Sequence, residues 1–93
     1  MERMTEKRAD GAATVAAELV EVCEDGSVGG AAIERLAALE EAIEVVEQQL
    51  ASTASRLDEL KAAGRARGSS AQQLLAQKVT YTTLLHLMGA DEV

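Results

Sequence analysis

The chain has 93 residues, one aromatic side chain (Tyr81), one cysteine (Cys23) and a net charge of −7. That length gives one domain, expected over 1–93. A single cysteine excludes an internal disulfide, and the acidic balance argues against non-specific nucleic-acid binding, which needs Lys and Arg against phosphates.

Apolar residues make up 47% of the chain, but much of that is alanine. Alanine removes little surface from water compared with a large aromatic. Chains this short are marginal even with a good core, and association is the ordinary remedy. No apolar run is long enough to span a bilayer. The first eight residues carry charge with no apolar stretch behind it, so no secretory signal is expected. With one unpaired cysteine, a cytoplasmic location is expected.

Residues 1–8 are polar and expected to fray. From about Ala9 to Glu24 the residues favour a helix. Ala12, Val15, Ala16, Leu19, Val22 and Cys23 fall at three- and four-residue steps, on one face. Gly11 weakens its first turn. Asp25-Gly26-Ser27-Val28-Gly29-Gly30 breaks it.

A second helix is expected over 31–63, without Pro or interior Gly. Leu36, Leu39, Ile43, Val46, Leu50, Thr53, Leu57 and Leu60 repeat with gaps of three and four. This is the a/d pattern of a coiled-coil seam over four heptads. A helix from 33 to 61 is roughly 43 Å long, whereas a compact chain of this length has a radius of gyration of roughly 12 Å. The seam therefore needs a partner. Thr53, the polar member, lies in the small-residue patch Ala51-Ser52-Thr53-Ala54-Ser55. It is either a thin spot in the seam or a notch that fixes register.

Gly64-Arg65-Ala66-Arg67-Gly68 forms a turn. Ser69 with Gln72, or Ser70 with Gln73, has the spacing of a capping box. A third helix is expected over 69–88, stopped by Gly89. The short loop returns it antiparallel along the second. Val79-Thr80-Tyr81-Thr82-Thr83 has modest helix propensity, but no other segment offers a strand to pair with it. The third helix's apolar set (Leu74, Leu75, Tyr81, Leu84, Leu85, Leu87, Met88) is broad enough for two neighbours. No internal repeat is evident. The expected fold is all-α: three helices with a long central coiled-coil-like helix, the third folded back antiparallel, forming an oligomeric helical bundle.

Charge patterning favours an antiparallel homodimer. Glu40 and Lys61 flank the seam at e positions and would meet twice, whereas a parallel pair would oppose Arg56 and Lys61. Residues 1–60 hold 14 acids and 5 bases, while 61–93 hold 2 acids and 4 bases.

Candidate partner-binding residues follow from the same asymmetry. Glu40, Glu44 and Glu47 form an acidic face, which is either solvated or a dock for a basic protein. Lys61, Arg65 and Arg67, with Lys78 beyond, form a basic region around the turn. His86 has no acid or cysteine at helical spacing, and Cys23 behaves as a small hydrophobe. No Glu-x-x-His pair, phosphate loop, nucleophile motif or zinc spacing occurs. No metal, cofactor or catalytic residue is expected. The expected function is that of a non-enzymatic, self-associating helical interaction protein, such as a small bacterial or phage adaptor, regulator or assembly factor. The alternative is a transcription-linked or toxin-neutralising regulator that reaches nucleic acid through a partner or through the basic 61–78 region.

Overall fold

The structure, a computed structural model, describes residues 1–90. In chain order the elements are β1 Thr5–Lys7, β2 Ala13–Val15, a 3₁₀ turn Ala17–Leu19, β3 Glu21–Val22, β4 Val28–Gly29, α1 Ala31–Ala62 and α2 Ser69–Leu87. The chain divides into two compact units, Met1–Glu40 and Glu41–Val93. The expected bundle of three helices is not formed. Two helices and two small antiparallel hairpins take its place. Residues 9–24 form no α-helix, only the 3₁₀ turn Ala17–Leu19 between short strands, and part of the segment expected to fray forms β1.

The reason lies in two Asp-Gly turns. β1 pairs with β2 in the register Thr5↔Val15, Glu6↔Thr14, Lys7↔Ala13. Between them the Gly11 N–H donates to the Arg8 carbonyl at 2.9 Å, and the Arg8 N–H donates to the Ala12 carbonyl at 2.8 Å. The Asp10 carboxylate accepts the Ala12 N–H at 3.0 Å. β3 pairs with β4 as Glu21↔Gly29 and Val22↔Val28. There the Gly26 N–H donates to the Cys23 carbonyl at 3.1 Å, and the Cys23 N–H donates to the Ser27 carbonyl at 2.8 Å. Asp25 accepts the Ser27 N–H at 3.0 Å and its hydroxyl at 2.6 Å.

Both are three-residue hairpin loops that end in a left-handed glycine, Gly11 at φ +88° and Gly26 at φ +89°. An aspartate that hydrogen-bonds the backbone two residues on offers an alternative to the helical ladder. The β-branched Thr14, Val15, Val20 and Val22 favour the extended state as well. Together they outweigh the helical spacing of Ala12 to Cys23.

Gly30 connects the second hairpin to α1. Its carbonyl accepts the Glu34 N–H at 3.0 Å, the first bond of the helix. Its φ is +105°, and a Cβ there would lie 2.8 Å from the Leu19 carbonyl oxygen and 3.0 Å from the Val20 Cα. Only glycine fits, so the first turn of α1 starts directly against the Leu19–Glu21 backbone.

α1 ends in a Schellman motif. Arg65 N–H bonds the Leu60 carbonyl at 2.7 Å and Gly64 N–H bonds the Lys61 carbonyl, with Gly64 left-handed. Gly89 closes α2 in the same way, Ala90 N–H bonding the Leu85 carbonyl and Gly89 N–H the His86 carbonyl. The expected serine capping box at the start of α2 does not form. Gly68 is the cap residue, without a side-chain bond. The β-branched run in α2 stays helical. The Thr80 hydroxyl donates to the Ala76 carbonyl at 3.0 Å and the Thr82 hydroxyl to the Lys78 carbonyl at 2.8 Å, which absorbs their polarity within the helix.

The buried side chains all lie in the second unit. Leu57 is 2% exposed, and Thr53, Ala71 and Leu85 are also buried. Within this unit α2 returns antiparallel along α1, because Leu60 and Leu74 line one groove while Leu50 and Leu85 line another. Ala71, Leu74, Lys78, Tyr81, Leu85 and Met88 repeat every three and four residues and match the α1 heptad. Antiparallel matching sets Leu60 level with Leu74, Leu57 with Lys78, Thr53 with Tyr81, Leu50 with Leu85 and Val46 with Met88. The small Thr53 thus sits level with the one aromatic ring. Lys78 is exposed, so its ammonium stays in water at a seam position. No helix among the described residues is long and apolar enough to cross a membrane.

Candidate interaction surfaces

The eight seam residues do not share one fate. Thr53 and Leu57 are buried, and Ile43, Val46, Leu50 and Leu60 are half-buried, all in the second unit. From Leu50 to Leu60 this stretch has α2 alongside it and is covered from within the chain. Leu36 and Leu39, in the first unit, are exposed, Leu36 by 50%. Together with Met1, Met4, Val15, Val20, Ile33 and others they line a groove of about 510 Å³. Arg3 and Arg35 also line it, and the Arg35 guanidinium reaches the Glu2 carbonyl at 3.5 Å. Among the described residues of this unit no side chain is fully buried.

Of the candidate partner-binding residues, Glu40, Glu44 and Glu47 are all exposed on α1. Glu40 belongs to the first unit and Glu44 and Glu47 to the second. Glu47 lines a groove of about 430 Å³ together with Leu50, Ala51, Ala54, Lys78, Thr82 and Leu85. Lys61, Arg65 and Arg67 are exposed around the Schellman turn. They give the turn a positive surface.

Cys23 is exposed, not on an apolar stripe, because the helix expected to carry that stripe is absent. Hydrogen bonds from the Ser27 hydroxyl and N–H hold the Asp25 carboxyl below the ordinary value of 3.8. Among the described residues no group of three His, Cys, Asp or Glu side chains is placed to hold a metal ion.

One surface escapes a reading of the sequence by heptads. The outer face of α2 exposes Leu75, Val79, Leu84 and Leu87, with Val79 at 65% and Leu87 at 74%. The spacing of Leu75, Val79, Thr83 and Leu87 by four is the available signal, because residues four apart stack on one face. α2 contains no acidic residue, and its first turn has none to suit the helix dipole.

Compared with known proteins, the chain matches no family model, no curated protein and no solved structure.

Proposed function

We propose that the chain is a non-enzymatic, cytoplasmic interaction protein that associates with a second copy and presents a helical surface to another protein, as an adaptor or assembly factor does. The observation that carries this reading is how small the enclosed apolar core is. Among the described residues the buried apolar side chains are Leu57, Ala71 and Leu85. Burying one leucine contributes roughly 1.5–3 kcal/mol, and alanine far less. So small a core is thin support against the entropy of ordering the chain. Burial against a partner adds to folding stability in proportion to occupancy. The lone His, Tyr and Cys offer no convergent catalytic set, which favours a binding role over an enzymatic one.

Thermal unfolding followed by helical circular dichroism tests the reading. The midpoint is expected to climb with each tenfold rise in protein concentration, as mass action requires. A midpoint independent of concentration would overturn it.

A further inference from the structure

We propose that the groove of the first unit binds a free fatty acid, with Arg3 and Arg35 holding its carboxylate and the apolar walls taking its alkyl chain. The proposal goes beyond the self-association reading and does not rest on it. All the residues that line this groove of about 510 Å³ lie within Met1–Glu40. Ile33, Leu36 and Leu39 from the first turns of α1 form one wall, and Met4, Val15 and Val20 from the strands and their connections contribute the rest. That wall is almost entirely carbon. Small-ligand sites of roughly 300–1,000 Å³ have this make-up, apolar walls with a few polar groups that orient the ligand. Among the described residues of this unit no side chain is buried, so the groove stands where the unit lacks a core.

Charge selects the head group. The charged side chains lining the groove are Arg3 and Arg35. Both also line a smaller cavity of about 230 Å³, so the two stand together where the cavities meet. Glu2 lines that smaller cavity too, yet the one ion pair among the described residues is Arg8 with Asp10. Each guanidinium has five N–H donors. Arg3 gives one to the Thr5 hydroxyl at 3.2 Å, and Arg35 gives one to the Glu2 carbonyl at 3.5 Å. Among the described residues neither pairs with a carboxylate, in a chain that carries 16 acids. Two such guanidiniums beside an apolar trough complement an anionic head on an apolar tail, and the guanidinium fork fits a carboxylate. The walls decide between an alkyl chain and a peptide. An extended peptide brings an N–H and a carbonyl with every residue, and a carbon wall leaves them unpaired at a cost. A helix satisfies its own amides but spreads its acids along its length, whereas here both cations stand together, as a single carboxylate requires. A fatty acid has no polar atom beyond its head.

Titration calorimetry of the full chain with monomeric dodecanoate is the test. One molecule binds per chain, and affinity rises roughly tenfold for every two methylenes from octanoate to dodecanoate, as burial of an alkyl chain requires. Dodecanol binds at least roughly tenfold more weakly than dodecanoate, and the double variant Arg3→Gln/Arg35→Gln loses at least roughly tenfold in affinity for the acid, because charge-assisted hydrogen bonds are missing in both cases. Leu36→Asp abolishes binding, and Val45→Asp, in the second unit, leaves it unchanged. All four positions are exposed, and an unchanged circular dichroism spectrum shows each variant folded. No saturable binding of dodecanoate, or equal affinity for the acid and the alcohol, overturns the proposal. Retention of the chain on phosphatidylglycerol vesicles without binding of the monomeric acid overturns it in favour of a membrane surface. Loss of a wild-type dimer in Leu36→Asp with no acid bound overturns it in favour of a second copy. A monomeric wild type that binds dodecanoate supports this proposal and overturns the self-association reading alone.

Discussion

The two units are built on different physical principles. Met1–Glu40 is held by backbone: two hairpin loops, two turn aspartates and a glycine that nothing else can replace. No described side chain in it is fully buried. The second unit is held by side chains, with two matched heptads that enclose Leu57, Ala71 and Leu85. The contrast teaches that the same chain fixes its conformation in one place through φ angles and hydrogen bonds, and in the other through apolar burial. Substitutions should therefore act by different mechanisms in the two.

The largest expected effect is at the seam. Leu57→Ala leaves a cavity in the most enclosed position and should cost about 2–5 kcal/mol in chemical denaturation, as for other core leucines. The matched change Leu36→Ala, at a half-exposed heptad position, should cost under about 1 kcal/mol, within the range of surface substitutions. Equal costs would break the distinction between the covered and uncovered parts of one heptad pattern.

Next is Gly30→Ala. It places a Cβ at a positive φ and against the Leu19–Glu21 backbone. A cost of about 1–3 kcal/mol is expected from the strained backbone. It should be read out as faster amide exchange at Val22 and Cys23, with the amides of α2 unchanged. Gly64→Ala meets no steric obstacle. It should cost only the left-handed penalty of roughly 1–2 kcal/mol, visible as fraying of the last turn of α1.

These positions also show what is legible in the sequence. The long helix that carries Leu36 to Leu60, the loop at Gly64–Gly68 and the end of α2 at Gly89 are readable, because helical spacing and C-terminal glycines act locally. The hairpins read instead as a helix over 9–24. Alanine and valine at three- and four-residue steps resemble an amphipathic face, and the competing signal rests on two dipeptides, Asp10-Gly11 and Asp25-Gly26. A short extended segment has little periodicity to weigh against sixteen residues of helix formers. The seam's partner is not readable either, since a heptad states that a surface is buried without stating by what. Here α2 supplies much of the cover. The outer ridge of α2 is hidden because Val79 and Thr83 stand out as part of a β-branched run, not as members of a row four residues apart.

The smallest expected effect is a pH response confined to the first unit. Asp25 is held below the ordinary carboxylate value by Ser27, so the folded turn binds its proton less readily than the unfolded chain. The stabilisation is present above the unfolded value of 3.8 and is lost as pH falls through the lowered folded value. Acidification below about pH 4 should expose the Ser27 amide to exchange, while Asp25→Ala should abolish that pH dependence. An unchanged pH profile in Asp25→Ala would show that the turn does not depend on this carboxylate.

The most direct test of the account is the mass of the wild-type chain in solution by sedimentation equilibrium across concentrations that span the association. The chain weighs 9.8 kDa. A mass that rises toward twice that value, together with a rising melting midpoint, is the expected result. A single mass of one chain at every concentration would contradict it, because the apolar surface outside the seam would then be stable in water without a second copy to cover it.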